Sequence, residues 1–144
     1  MNDIPVLKTV CPRYSQVVSE LIHTCYRVRD VEKSVAFYEQ LGMKEMRRMP
    51  IRDEAINVFM GFEGDGPRLE LTFNFDRDQP YEIGTGYGHI AITVGNMKEA
   101  LERLAKMGIE PERPPYSVRA GGSLLCFVRD PDGYRVELIE SSPD

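Results

Sequence analysis

The sequence predicts an α+β fold of two tandem βαβββ modules whose curved sheets face each other across a cleft. An internal repeat, a matched helix in each half and a polar pattern kept by the repeat lead to it. Aligning His23 with His89, an offset of 66, sets HTCYRVRDVEKSVAFYEQLGM over HIAITVGNMKEALERLAKMGI without a gap. His23/His89, Val28/Val94 and Gly42/Gly108 are identical pairs, and Val35/Leu101 keeps an apolar face. The module ends match at an offset of 67, PRLELTF over YRVELIE, which lays Glu70 on Glu137.

Each half opens with an alternating strand that runs into an N-cap candidate, Asp30 or Asn96. Glu99, three residues after Asn96, completes a capping-box pattern. Val31, Val35 and Tyr38 in the first helix, and Met97, Leu101 and Leu104 in the second, fall at the i, i+4, i+7 spacing of one buried face. Gly42 and Gly108 stand where a helix ends in a left-handed cap. Strands follow over Ala55–Phe62 and Arg68–Phe75, and over Ser123–Arg129 and Tyr134–Glu140. A further strand over Lys44–Met49 has a weaker counterpart around Glu110–Arg113, where prolines crowd. Gly64-Asp65-Gly66-Pro67 separates the first pair, and Asp130-Pro131-Asp132-Gly133 reads as a tight structural turn rather than a phosphate loop. The modules span 21–80 and 81–144 and make one domain over 21–140. Residues 1–20, with Pro5, Pro12 and little periodicity, read as an N-terminal arm.

Composition sets the class. With 144 residues, 42% hydrophobic and 28% charged, the chain reads as a soluble globular protein. It contains no apolar run that could span a bilayer and no leader-like segment, so a cytoplasmic location is the default. Cys11, Cys25 and Cys126 are odd in number and lack CxxC spacing, which argues against a disulfide framework. A net charge of −5 with no basic stripe excludes nucleic acid as the expected partner. An anionic ligand would need individually placed arginines.

Strand alternation says where the repeated polar residues point. In LELTF, Leu69, Leu71 and Phe73 share the helix side, and Glu70, Thr72 and Asn74 the other. Ile90, Ile92 and Val94 likewise oppose His89, Ala91 and Thr93; Glu137 opposes Val136 and Leu138; His23 shares its face with Cys25 and Arg27. A lone histidine in a strand is usually a core or capping residue. Here both of the chain's histidines coincide under the repeat, each followed by a glutamate that also coincides. Two imidazoles and two carboxylates in one cleft suit a divalent metal, which would neutralise the paired carboxylates and polarise a substrate oxygen.

The stretches LIHTCYRV, DVEKSVAFYEQLGMK, LELTFN, YEIGTGYGHIAI and FVRDPDGYRVELIE resemble those of glyoxalase I, the lactoylglutathione lyase of the vicinal-oxygen-chelate superfamily, in its short bacterial type. The resemblance covers about residues 21–140. It implies the glyoxalase/bleomycin-resistance-like fold and metal ligation by His23, Glu70, His89 and Glu137. It further implies isomerisation of the methylglyoxal–glutathione hemithioacetal to S-lactoylglutathione through an enediolate. By this analogy Glu137 is the base; Glu70 is its repeat twin, and sequence alone leaves open which of the two acts. Arg27 and Asn74 match residues that hold the γ-glutamyl end of glutathione, and Arg119, in PPYSVRAGG, matches a basic position associated with the glycyl carboxylate. Nickel or cobalt is favoured, with zinc the further candidate, and family members are usually homodimers with sites formed between subunits. Phe75 replaces the family's usual tryptophan and DRDQP its usual short linker, which leaves the thiol open. Two other readings of this fold are a CoA-thioester epimerase, whose second ligand is usually glutamine, and a metal-free module that binds a small molecule such as an antibiotic. An extradiol dioxygenase, with its two-His, one-carboxylate iron site, fits four ligands in register less well.

Overall fold

The computed structural model describes residues 19–141; most of the predicted arm (1–18), Cys11 and the last three residues (142–144) lie outside the described residues. The first module runs β1 (Thr24–Arg27), α1 (Val31–Gln40), β2 (Lys44–Ile51), β3 (Ala55–Gly61) and β4 (Pro67–Asn74). The second runs β5 (Ile90–Val94), α2 (Met97–Ala105), β6 (Leu125–Arg129) and β7 (Arg135–Glu140). One sheet has the order β1-β4-β3-β2 and the other β5-β7-β6. In both, the opening strand pairs parallel to the closing strand, and the remaining pairs are antiparallel.

Helix starts follow the predicted caps. Asp30 accepts from the Lys33 N–H and Asn96 from the Glu99 N–H. A further donor of the first turn is met from outside the helix: Glu140 on β7 accepts the Met97 N–H at 2.7 Å, tying α2 to its own sheet. Gly42 and Gly108 take φ of 91° and 75°, the left-handed conformation that ends each helix at little cost only in glycine.

The second module's counterpart of β2 is reduced to a bridge between Tyr116 and Leu125, with the Glu112 N–H donating to the Phe127 carbonyl. Pro111, Pro114 and Pro115 remove the donors a full edge strand would need.

The two sheets pack through their helix sides. A single core joins Val28, Phe37, Tyr38, Met60 and Leu71 of the first module to Ile92, Met97, Leu104, Val136 and Leu138 of the second. Tyr26 stacks on Tyr134 with centroids 4.4 Å apart, and its hydroxyl lies 2.8 Å from that of Tyr87. Arg103 on α2 donates to the Gln40 carbonyl at the end of α1, a cation supplied from outside to a helix with no basic residue in its last turn.

The Asp130–Gly133 turn is a clamp between modules. The Asp130 carboxylate accepts from the Tyr38 hydroxyl at 2.8 Å and from the backbone N–H groups of Asp132 and Tyr134. Asp132 accepts from the Arg29 N–H and the Ser34 hydroxyl at the start of α1. The turn is structural, as its sequence indicates.

Candidate metal centre

His23 and His89 each stand one residue before their strand, where the chain enters the face opposite the helices. His23 Nε2 lies 2.8 Å from Glu70 Oε2, and His89 Nε2 lies 3.0 Å from Glu137 Oε2. The two pairs are built alike. In each, the imidazole meets a phenylalanine edge to face, Phe59 at 5.7 Å and Phe127 at 5.2 Å. Those phenylalanines are register partners of the glutamates, and each carries an arginine over its ring, Arg47 or Arg135. Sequence reading passed over both rings, although they too repeat, at an offset of 68.

The carboxylates are sheltered and the imidazoles open: side-chain exposure is 13% for Glu70 and 16% for Glu137, against 33% and 37% for His23 and His89. Strand alternation behaves as read. Leu69, Leu71, Val136 and Leu138 are buried on the helix side, and Cys25, Arg27, Ala91 and Thr93 are exposed on the other.

Within one chain, however, the four expected ligands do not form a single cluster: among the described residues, no group of three or more His, Cys, Asp or Glu side chains could hold a metal ion. The reason lies in the packing. Because the sheets meet through their helix sides in one core, their polar faces open outward instead of toward each other. Each chain therefore carries two separate His/Glu pairs.

The donor set fits a divalent ion. Two donors about 2.1 Å from an ion and at right angles to each other stand about 3.0 Å apart, close to the separations found in both pairs. Two imidazoles and two carboxylates also suit nickel, cobalt and zinc alike.

Around Glu70 the strands supply a polar cage. The Asn57 amide donates to Oε1 at 2.8 Å, the Thr72 hydroxyl lies 3.0 Å from the same oxygen, and the Cys25 thiol is 3.8 Å away. Burial pushes the Cys25 thiol up, against the opposing hydrogen bond with Thr72, so it stays protonated at neutral pH.

Arg27 and Asn74 line one cavity of about 470 Å³ together with Asp76, Arg77, Asp78 and Gln79. The DRDQP segment thus forms the wall beside the predicted thiol-binding pair. Tyr81 donates to Asn74 at 3.4 Å. Arg119 is not part of that lining; it is exposed in a turn closed by the Gly122 N–H on its carbonyl, with Gly121 at a φ of 71°. The glycine pair that follows it serves this turn.

Residues 20–138 match the model of the Glyoxalase/Bleomycin resistance protein/Dioxygenase superfamily. The chain belongs to that superfamily. Within it the relatives are lactoylglutathione lyases: that of Escherichia coli O157:H7 is 41% identical over 126 residues, covering 83% of this chain and 91% of the relative. One from Arabidopsis thaliana is 40% identical over 129 residues, which is 85% of this chain and 44% of the relative. The chain thus spans less than half of such plant relatives and nearly all of the bacterial ones. Among solved structures, glyoxalase I from Zea mays is 36% identical with a TM-score of 0.74, covering 85% of this chain and 45% of the maize chain. The trypanothione-dependent glyoxalase I of Leishmania major is 36% identical with a TM-score of 0.70, covering 85% and 87%.

Proposed function

We propose that the protein is a metal-dependent lactoylglutathione lyase that converts the hemithioacetal of methylglyoxal and glutathione to S-lactoylglutathione. The observation that carries this is the pair of like-built His/Glu half-sites, set in repeat register in a chain about 40% identical to lactoylglutathione lyases. The working unit is a homodimer in which His23 and Glu70 of one subunit hold the ion with the partner's His89 and Glu137. Outward-facing half-sites support that assembly, since neither pair alone provides four ligands. Residues 21–80 and 81–144 are the two modules of the unit, and it works in the cytoplasm; among the described residues no helix is long and apolar enough to cross a membrane.

A bound divalent ion, nickel or cobalt by preference, supplies electrostatic stabilisation to the negative charge that develops on the substrate's two oxygens. Glu137 removes the proton from the carbon that carries sulfur and returns it to the adjacent former ketone carbon, so the step is a net isomerisation. Glu70 keeps its place beside His23. Arg27, permanently charged, and Asn74, both donor and acceptor, take the γ-glutamyl end of the thiol, with Arg119 toward its glycyl end. The Asp76 and Asp78 carboxylates beside them give this chain a mixed-charge wall, fitted to a thiol that bears both an ammonium and a carboxylate.

The test is direct. Protein stripped of metal is expected to produce no S-lactoylglutathione from methylglyoxal and glutathione, and to regain turnover with Ni²⁺ or Co²⁺. Tight metal binding with no turnover under any ion would overturn the glutathione reading and direct attention to other thiols and CoA thioesters.

A further inference from the structure

Strand register shows that the repeat is broken in one specific place, the layer behind the carboxylates. Glu70 is paired with Cys25 on β1 and Phe59 on β3, and two residues along the same face Thr72 is paired with Asn57. Glu137 is paired with Ala91 on β5 and Phe127 on β6, and two residues along Ile139 is paired with Leu125. The phenylalanines correspond. Cys25, Asn57 and Thr72 do not: their counterparts are Ala91, Leu125 and Ile139, every polar group replaced by an apolar one.

The consequence is visible in the hydrogen bonds. Glu70 Oε1 takes the Asn57 amide at 2.8 Å and lies 3.0 Å from the Thr72 hydroxyl. That hydroxyl has one proton and three acceptors in reach, Glu70, the Asn57 carbonyl oxygen at 3.1 Å and the Cys25 sulfur at 3.3 Å; the carboxylate makes the strongest bond of the three. Among the described residues Glu137 has one partner within hydrogen-bonding distance, Nε2 of His89. One carboxylate is held at both oxygens and its twin at one.

We propose that Asn57 and Thr72 are positioning residues that pin Glu70 as a fixed ligand, and that Leu125 and Ile139 in their places leave Glu137 free to leave the ion and return. This rests on the reading of the two pairs as one metal centre, and it explains why a duplicated site divides its labour. Groups that orient a ligand commonly influence metal affinity by about 10–100-fold.

The test is a reciprocal graft. Asn57→Leu with Thr72→Ile gives Glu70 the surroundings of Glu137, and is expected to weaken Co²⁺ binding by about 10–100-fold in competition with a chelator and to alter the visible spectrum of the cobalt form. Leu125→Asn with Ile139→Thr gives Glu137 the surroundings of Glu70. It is expected to leave Co²⁺ affinity at or above the parent value while kcat falls at least about tenfold at unchanged KM. A packing role alone would not make added hydrogen bonds slow turnover. Thr72→Val, which removes a donor at constant shape, keeps the first arm readable if the double variant fails to fold, and Thr72→Ser should retain the parent affinity. Parent-like Co²⁺ affinity in Asn57→Leu/Thr72→Ile and Thr72→Val, or parent-like kcat in the reverse graft, would overturn the pinning while the parent enzyme still binds metal and turns over. A parent that binds no metal would overturn the metal-centre reading itself.

Discussion

Among single residues, Asp130 couples the clamp between modules to pH. Burial pushes its carboxyl up to about 6, only partly offset by the Tyr38 hydroxyl and two backbone donors. Because the folded state binds this proton more tightly than an unfolded chain does, the stabilisation is fully present below about pH 4 and is lost as pH rises through about 6. Asp130→Asn is the neutral comparison: its oxygen still accepts the backbone donors and its amide can donate to the Tyr38 oxygen. Between pH 5 and 7.5 the wild type should lose about 1.4 kcal/mol relative to Asp130→Asn, measured by urea unfolding at both pH values. Parallel pH profiles would show that Asp130 is ionised in the fold throughout that range. The clamp was not legible in the sequence: helical spacing placed Tyr38 on a buried face, but the turn signalled only a reversal of direction. A turn signal is local, while the Tyr38 contact spans 92 residues.

Elements were legible wherever periodicity and punctuation agreed. Both helices, both caps and the glycines that end them follow from spacing alone, and β3, β4, β6 and β7 lie within a residue or two of their predicted ends. The edge strand of the second module was the weak reading for a physical reason, three prolines in five residues, and only a bridge survives there. What the pattern could not supply was which element fastens to which. The hairpin between β6 and β7 reaches across to α1, where Asp132 holds the hydroxyl of the fully buried Ser34. Asp132→Ala leaves that hydroxyl without its acceptor and frees the Arg29 N–H. A stability loss of about 2 kcal/mol in urea unfolding is expected. A loss within about 0.5 kcal/mol would show that the hairpin is held by the apolar core alone.

For the whole molecule, the two like-built His/Glu pairs were legible because a repeat leaves a duplicated trace, but their separation within one chain was not. Alternation reports the face of a sheet a side chain occupies and is silent on what lies opposite that face. That is decided by the helix sides, which bury Tyr26, Met97 and Leu104 in one shared core and leave the polar faces of both sheets open. A site shared between subunits predicts complementation. A His23→Ala/Glu70→Ala chain keeps His89 and Glu137, and a His89→Ala/Glu137→Ala chain keeps His23 and Glu70; each alone has no intact centre in either arrangement. Mixed after dissociation and reassembly, half of the dimers are heterodimers, and in each of these one of the two shared centres is complete. Activity should therefore return to about a quarter of the wild-type value per subunit, in proportion to the heterodimer isolated by differential tags. Centres built within one chain would stay dead in every mixture, because each chain lacks half of its own ligands and no partner could supply them.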